Sequence, residues 1–203
     1  MGYFVRILSD CDNKVSIDFI EKYLEKVNCK AKLIVENGTN KKWDSISITT
    51  LNDIEVSILE RNIVKHGLHG HEELYEFIDE IDNCKPKSAV VWLKNYLPSV
   101  KVIYSFQILD SINEENGWEI VNSIKACLWN EIGGIFQADN EGFTNVDGYH
   151  ILWQFSESVK GFWYMGIIDN KGNWIHFKMN LGNKNHRESF LLGKIPKGVE
   201  LVK

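Results

Sequence analysis

Two periods of apolar residues alternate along this chain, and their order predicts a mixed α+β fold. Residues 3–8 are rich in aromatic and β-branched side chains and predict a strand. Ile17, Ile20, Leu24 and Val27 then recur at steps of three and four, predicting an amphipathic helix over about 16–28. A short strand over 32–36 is expected to end at the turn dipeptide Asn37-Gly38. Residues 45–50 and 55–60 read as a hairpin around Asn52-Asp53.

The middle of the chain is helical. Leu74, Phe77, Ile78 and Ile81 form one stripe across 72–82, and Lys85-Pro86-Lys87 interrupts it. Pro86 suits the start of a second helix, which runs to about Leu97 and stops at Pro98. A β-rich run over 100–109 and a helix over 115–130 follow, the helix carrying Trp118, Val121, Ile124 and Leu128 on one side and stopping at Gly133-Gly134. Four further strands are expected over 135–143, 149–155, 162–168 and 174–180, with Gly148, Gly161 and Gly172 between them. The tail carries one helical turn near 187–192.

The expected fold class is therefore α+β, with antiparallel sheets and helices on one face. The preferred arrangement has an N-terminal β-α-β-β-β lobe over 1–65, a helical connector over 66–99 and a C-terminal β-α-β-β-β-β lobe over 100–203. One continuous domain is the alternative.

The C-terminal strands define a candidate surface. A two-residue turn at Asp147-Gly148 would pair Asn145 with His150, Phe143 with Leu152 and Glu141 with Gln154. Tyr149, Ile151, Trp153 and Phe155 would then face the core, with Gly142 opposite Trp153. Gln137, Asp139, Glu141, His150 and Gln154 would share the other face. The strand over 162–168 is apolar on both sides and reads as a central strand buried on both faces. In 174–180, Ile175, Phe177 and Met179 belong to the core side, and Trp174, His176, Lys178 and Asn180 to the polar side. Trp163, Trp174, His176 and Gln154 are the candidate binding residues, since they combine apolar area with orienting polar groups.

Composition narrows the function classes. With 203 residues, 44% hydrophobic and 25% charged, disordered and fibrous classes are excluded. The net charge is −5, and only Arg6, Arg61 and Arg187 are arginines. Lysines are scattered apart from short clusters such as Lys41-Lys42, so no nucleic-acid partner is expected, although a small local basic patch can survive the average. The heavy use of Asn, Ile and Lys points to an AT-rich bacterial genome.

Cys11, Cys29, Cys84 and Cys127 show no zinc-binding spacing, and no export signal precedes them, so four free thiols and a cytoplasmic location are expected. No apolar run reaches the roughly 18–20 residues of a membrane span, so no membrane association is expected.

Motifs for chemistry are sparse. His66, His69 and His71 could hold a divalent metal with Glu72 or Glu73, but HExxH is absent and a surface loop leading into a helix is the simpler reading. Asp139 and Glu141, two apart on an expected strand near His150, could perform general acid–base chemistry. GxSxG, GxGxxG and P-loop patterns are missing, so no cofactor is expected. The expected function is a non-enzymatic protein-interaction module of the toxin-neutralising immunity type, in which an acidic aromatic face docks a basic protein. The alternative is a small-ligand-binding protein or hydrolase that uses the Asp/Glu/His face.

Overall fold

The computed structural model describes residues 2–202. In chain order its elements are β1 (Tyr3–Ser9), α1 (Ile17–Lys26), β2 (Lys32–Thr39), β3 (Lys42–Thr49), β4 (Glu55–Ile63), α2 (His69–Glu80), α3 (Lys87–Tyr96), β5 (Val102–Ile108) and α4 (Gly117–Ile132). They continue with β6 (Ile135–Ala138), β7 (Gly142–Phe143), β8 (Phe162–Ile168), β9 (Trp174–Asn180), α5 (Lys184–Leu191) and β10 (Glu200–Val202). The class is α+β with antiparallel strand pairing. The chain forms two compact units, Met1–Glu72 with Val100–Gly134, and Glu73–Ser99 with Ile135–Lys203.

In the first unit the strands lie in the order β2-β3-β4-β5-β1. The core is built from Ile7, Leu8, Ile46, Ile48, Leu59 and Phe106 on the strands and Ile20, Ile124 and Leu128 on the helices, all fully buried. Helix α1 follows its sequence signals closely. Ser16 caps it by accepting the Phe19 N–H at 3.3 Å, Asp18 sits in the first turn and Lys26 in the last, and the stripe Ile17, Ile20, Leu24 is buried. Asn37-Gly38 does not end β2. The strand passes through it with two register shifts and turns at Asn40-Lys41 instead. Gly38, at φ +105°, is what lets the strand bulge there rather than turn.

In the second unit β10, β9 and β8 form a three-stranded sheet in that order. One face buries Met165 and Ile167 of β8 and Phe177 and Met179 of β9 against Phe155, Leu181 and Phe190, with Trp153, Trp163 and Ile175 packed at the margin. Two expectations fail here. The stretch 135–143 is not one strand but a tight hairpin, Gln137 opposite Phe143 and Ala138 opposite Gly142, turning through Asn140 at φ +62°. The stretch 149–155 is a loop and not a strand, with two isolated bridges, Thr144–His150 and His150–Met165, and single backbone bonds from Ile151 N–H to Phe143 O and from Trp153 N–H to Lys85 O. The turn before it is also longer than two residues, because Asn145 O accepts the Gly148 N–H and Asn145 N–H reaches Tyr149 O.

Candidate functional site

The outer face of the three-stranded sheet carries two exposed aromatic side chains. Strand alternation places Phe162, Tyr164, Gly166 and Ile168 of β8 on it, directly opposite Asn180, Lys178, His176 and Trp174 of β9. Phe162 is 66% exposed and Tyr164 51%. Lys178 lies over both rings, its Nζ 5.6 Å from the Phe162 centroid and 5.5 Å from that of Tyr164. Cation–π attraction holds the ammonium against the aromatic pair instead of leaving it to wander in water. The expectation that β8 is a central strand buried on both faces is therefore overturned: β8 is the last strand of its sheet, and on its outer side Phe162 and Tyr164 face solvent while Gly166 is buried.

Beside this patch sits a polar cluster centred on His176. Asn145 is fully buried, and its Oδ1 accepts the N–H groups of Asp147 (3.1 Å) and Tyr149 (3.0 Å). That fixes the amide orientation, so Nδ2 points outward and donates to His176 Nε2 at 2.9 Å. The ring of Tyr149 stacks on the imidazole with centroids 3.8 Å apart and planes 5° from parallel. Gly166, opposite His176, leaves the stack uncrowded, since a Cβ there would lie 3.3 Å from the imidazole and 3.4 Å from Tyr149 Cβ. Burial lowers the His176 pKa from its usual value, opposed by the carboxylate of Asp147, whose Oδ2 is 3.6 Å from Nε2. Burial prevails, so the ring is neutral near pH 7, with Nε2 accepting and the proton on Nδ1.

Trp174 lies on this outer face and packs edge-on against Trp92 of α3, 5.2 Å between centroids. Trp163 alternates to the other side, where it packs against Phe155 (4.8 Å) and His150 (4.9 Å). Its role is core packing, and the exposed aromatics of the surface are Phe162 and Tyr164 instead. Gln154 is half-buried and lies across Gly142, where an added Cβ would stand 3.2 Å from its Oε1. It belongs to the loop beside the hairpin and not to the outer face of the sheet. Trp153, expected opposite Gly142, instead packs on Phe155 and Phe190.

The proposed carboxylate pair loses its geometric basis. Asp139 and Glu141 flank the Asn140 turn instead of sharing one face of an extended strand. His150 bonds along β8, its N–H to Tyr164 O and its O from Gly166 N–H, with its ring between Phe155 and Trp163. For the histidine cluster, His66 and His71 approach edge to face at 5.3 Å, while His69 is exposed at the start of α2. Among the described residues no group of three or more His, Cys, Asp or Glu side chains is placed to hold a metal ion. All four cysteines are free thiols, Cys29 and Cys127 buried, and burial pushes the Cys127 thiol up to about 11. Among the described residues no helix is long and apolar enough to cross a membrane.

Comparison with protein-family models, with curated proteins and with solved structures finds no match for this chain. The functional reading rests on the geometry alone. Asn145 is the residue that sequence reasoning missed, and its one signal was an Asn two positions before Asp-Gly, where an Asx turn competes with a two-residue hairpin.

Proposed function

We propose that this protein is a non-enzymatic interaction module that docks a protein partner through the outer face of β8 and β9. One observation carries the reading: two large aromatic rings, Phe162 and Tyr164, stand more than half exposed side by side, bridged by Lys178 and flanked by Trp174 and His176. Aromatic rings held by a rigid strand cost little entropy to bury and are the usual anchors of protein interfaces. The net charge of −5 favours a basic partner, the arrangement that immunity-type proteins use against toxins, and a cytoplasmic bacterial setting suits that role. Trp174 and His176 remain in the contact set; Phe162 and Tyr164 take the place of Trp163.

The test is affinity capture from the native cell with quantitative mass spectrometry, comparing wild type with a Phe162→Ala/Tyr164→Ala double variant. Both side chains are exposed, so the variant keeps its fold. A stoichiometric protein held by wild type and depleted at least tenfold by the variant is the expected result, each lost anchor being worth about 1–2 kcal/mol. A partner held equally by both proteins, or a retained small molecule with no protein, overturns the reading.

A further inference from the structure

The first unit contains a buried cation with no counter-charge. Arg61, on β4, is 7% exposed. Its Nε donates to Tyr104 Oη at 3.2 Å and one Nη to the Asp12 carbonyl at 3.1 Å, and its guanidinium lies 5.9 Å from the Tyr104 ring centroid. These partners are neutral, and among the described residues no carboxylate forms an ion pair with it. A guanidinium carries five N–H donors, so these two bonds leave it with donors to spare as well as with its full charge. None of its nitrogens is both buried and unbonded, so the spare donors reach solvent at the mouth of the site, where an anion can meet a charge that burial makes costly to leave unpaired.

Arg61 lines a cavity of about 80 Å³ together with Lys14, Val15, Lys41, Lys42, Trp43, Asp44 and Ile63. Four basic residues and one acidic residue, Asp44, therefore line it; Arg61 is buried, and Asp44 and the three lysines are exposed. Three separate segments deliver them. Lys14 comes from the loop between β1 and α1, Lys41 and Lys42 from the β2–β3 turn and the first residue of β3, and Arg61 from β4. Backbone and indole bonds lock these segments together: Ile17 N–H donates to Asn40 O at 2.9 Å, and Trp43 Nε1 to Val15 O at 2.8 Å. The walls are thus preorganised, with Trp43 2% exposed.

We infer that this cavity is an anion site for a phosphate-sized tetrahedral oxyanion, with Arg61 as the buried fork and Lys14, Lys41 and Lys42 as the surrounding charges. A guanidinium fork matches two oxygens of such a group, and the lysines add charge without geometric demand. The small volume admits one phosphoryl or sulfuryl group, either free or at the end of an ester whose remainder lies in solvent. The site is independent of the docking face proposed above.

With only three arginines in the chain, the Arg61 Nε–Hε resonance can be followed alone by NMR. Inorganic phosphate is titrated at constant ionic strength against chloride. A saturable shift of Arg61, with Arg6 and Arg187 unmoved, is expected. Lys41→Gln and Lys42→Gln, both at exposed positions, each weaken binding about threefold, and Arg61→Lys weakens it about tenfold. Phenyl phosphate competing for the same resonance assigns the site to an esterified group, and its failure beside bound phosphate assigns the site to the free anion. The inference is overturned if Arg61 does not shift, if all three arginines shift with one midpoint, or if both lysine variants bind as wild type does. Because the lysine variants do not disturb the core, this holds even if Arg61→Lys fails to fold.

Discussion

At the scale of single residues, His176 shows how burial decides a protonation state against a neighbouring carboxylate. Protonation would turn Nε2 from an acceptor into a donor facing the Asn145 Nδ2 donor, breaking the 2.9 Å bond. The side chain is only 17% exposed, so water cannot replace it cheaply. Because the folded pKa lies below the unfolded value of 6.5, the unfolded state binds more protons as acidity rises. The neutral ring contributes its full stability above pH 6.5, and that contribution is lost as the pH falls from 6.5 through the lowered folded value. Urea denaturation at pH 7.5 and 5.5 is expected to show a larger loss on acidification for wild type than for His176→Gln, whose amide oxygen can still accept from Asn145. Equal losses in the two proteins would refute the assignment. Asp147→Asn removes the opposing carboxylate, so the His176 titration followed by NMR moves still lower.

At the scale of elements, helices and plain strands were legible and the compact turns were not. The α1 stripe, its Ser16 cap, the Asn52-Asp53 hairpin and the helices around Pro86 all appear where periodicity and breakers put them. Their signals are local, repeated over several turns or pleats, and agree with one another. The failures cluster between residues 135 and 155, where a single hydrogen-bonding side chain outweighs the dipeptide rule. Asp-Gly favours a two-residue turn, yet Asn145 folds its amide onto the Asp147 and Tyr149 N–H groups and lengthens the loop. The pairing moves from Asn145–His150 to Thr144–His150. A shift of one residue exchanges the faces of a strand, which is why Asp139, Glu141, His150 and Gln154 never assemble as the sequence suggested. If Asn145 holds this turn, Asn145→Ala destabilises the protein by about 2 kcal/mol, while Asp147→Ala, on the exposed side of the same loop, costs under about 0.5 kcal/mol at pH 7.5. Guanidinium denaturation of both variants measures the difference, and reversal of the order would return the turn to Asp147-Gly148.

At the scale of the whole molecule, proximity in sequence is a poor guide to which segments need one another. Periodicity locates a strand but carries no information on its neighbour, and this chain makes the consequence plain. Strand β5 lies between β4 and β1 in the sheet, so β1 and its partner are about a hundred residues apart. Arg6 pairs with Ser105 and Ile7 with Tyr104 on one side of β5, while Arg61 pairs with Tyr104 and Glu60 with Ser105 on the other. A division after residue 65 or 99, natural from the run of elements, removes β5 and strips the inner edges of both β1 and β4. It also removes α4, whose Ile124 and Leu128 are fully buried. Unpaired edges and an open apolar face cannot offset the entropy of ordering the remaining strands. The fragment 1–99 is therefore expected to lack dispersed amide resonances and a cooperative thermal transition. Extension to residue 134 restores every strand and helix of the first unit and, with them, a dispersed spectrum. Cooperative folding of 1–99 alone would mean that β1 finds another partner, and the sheet order described for the first unit would fall with it.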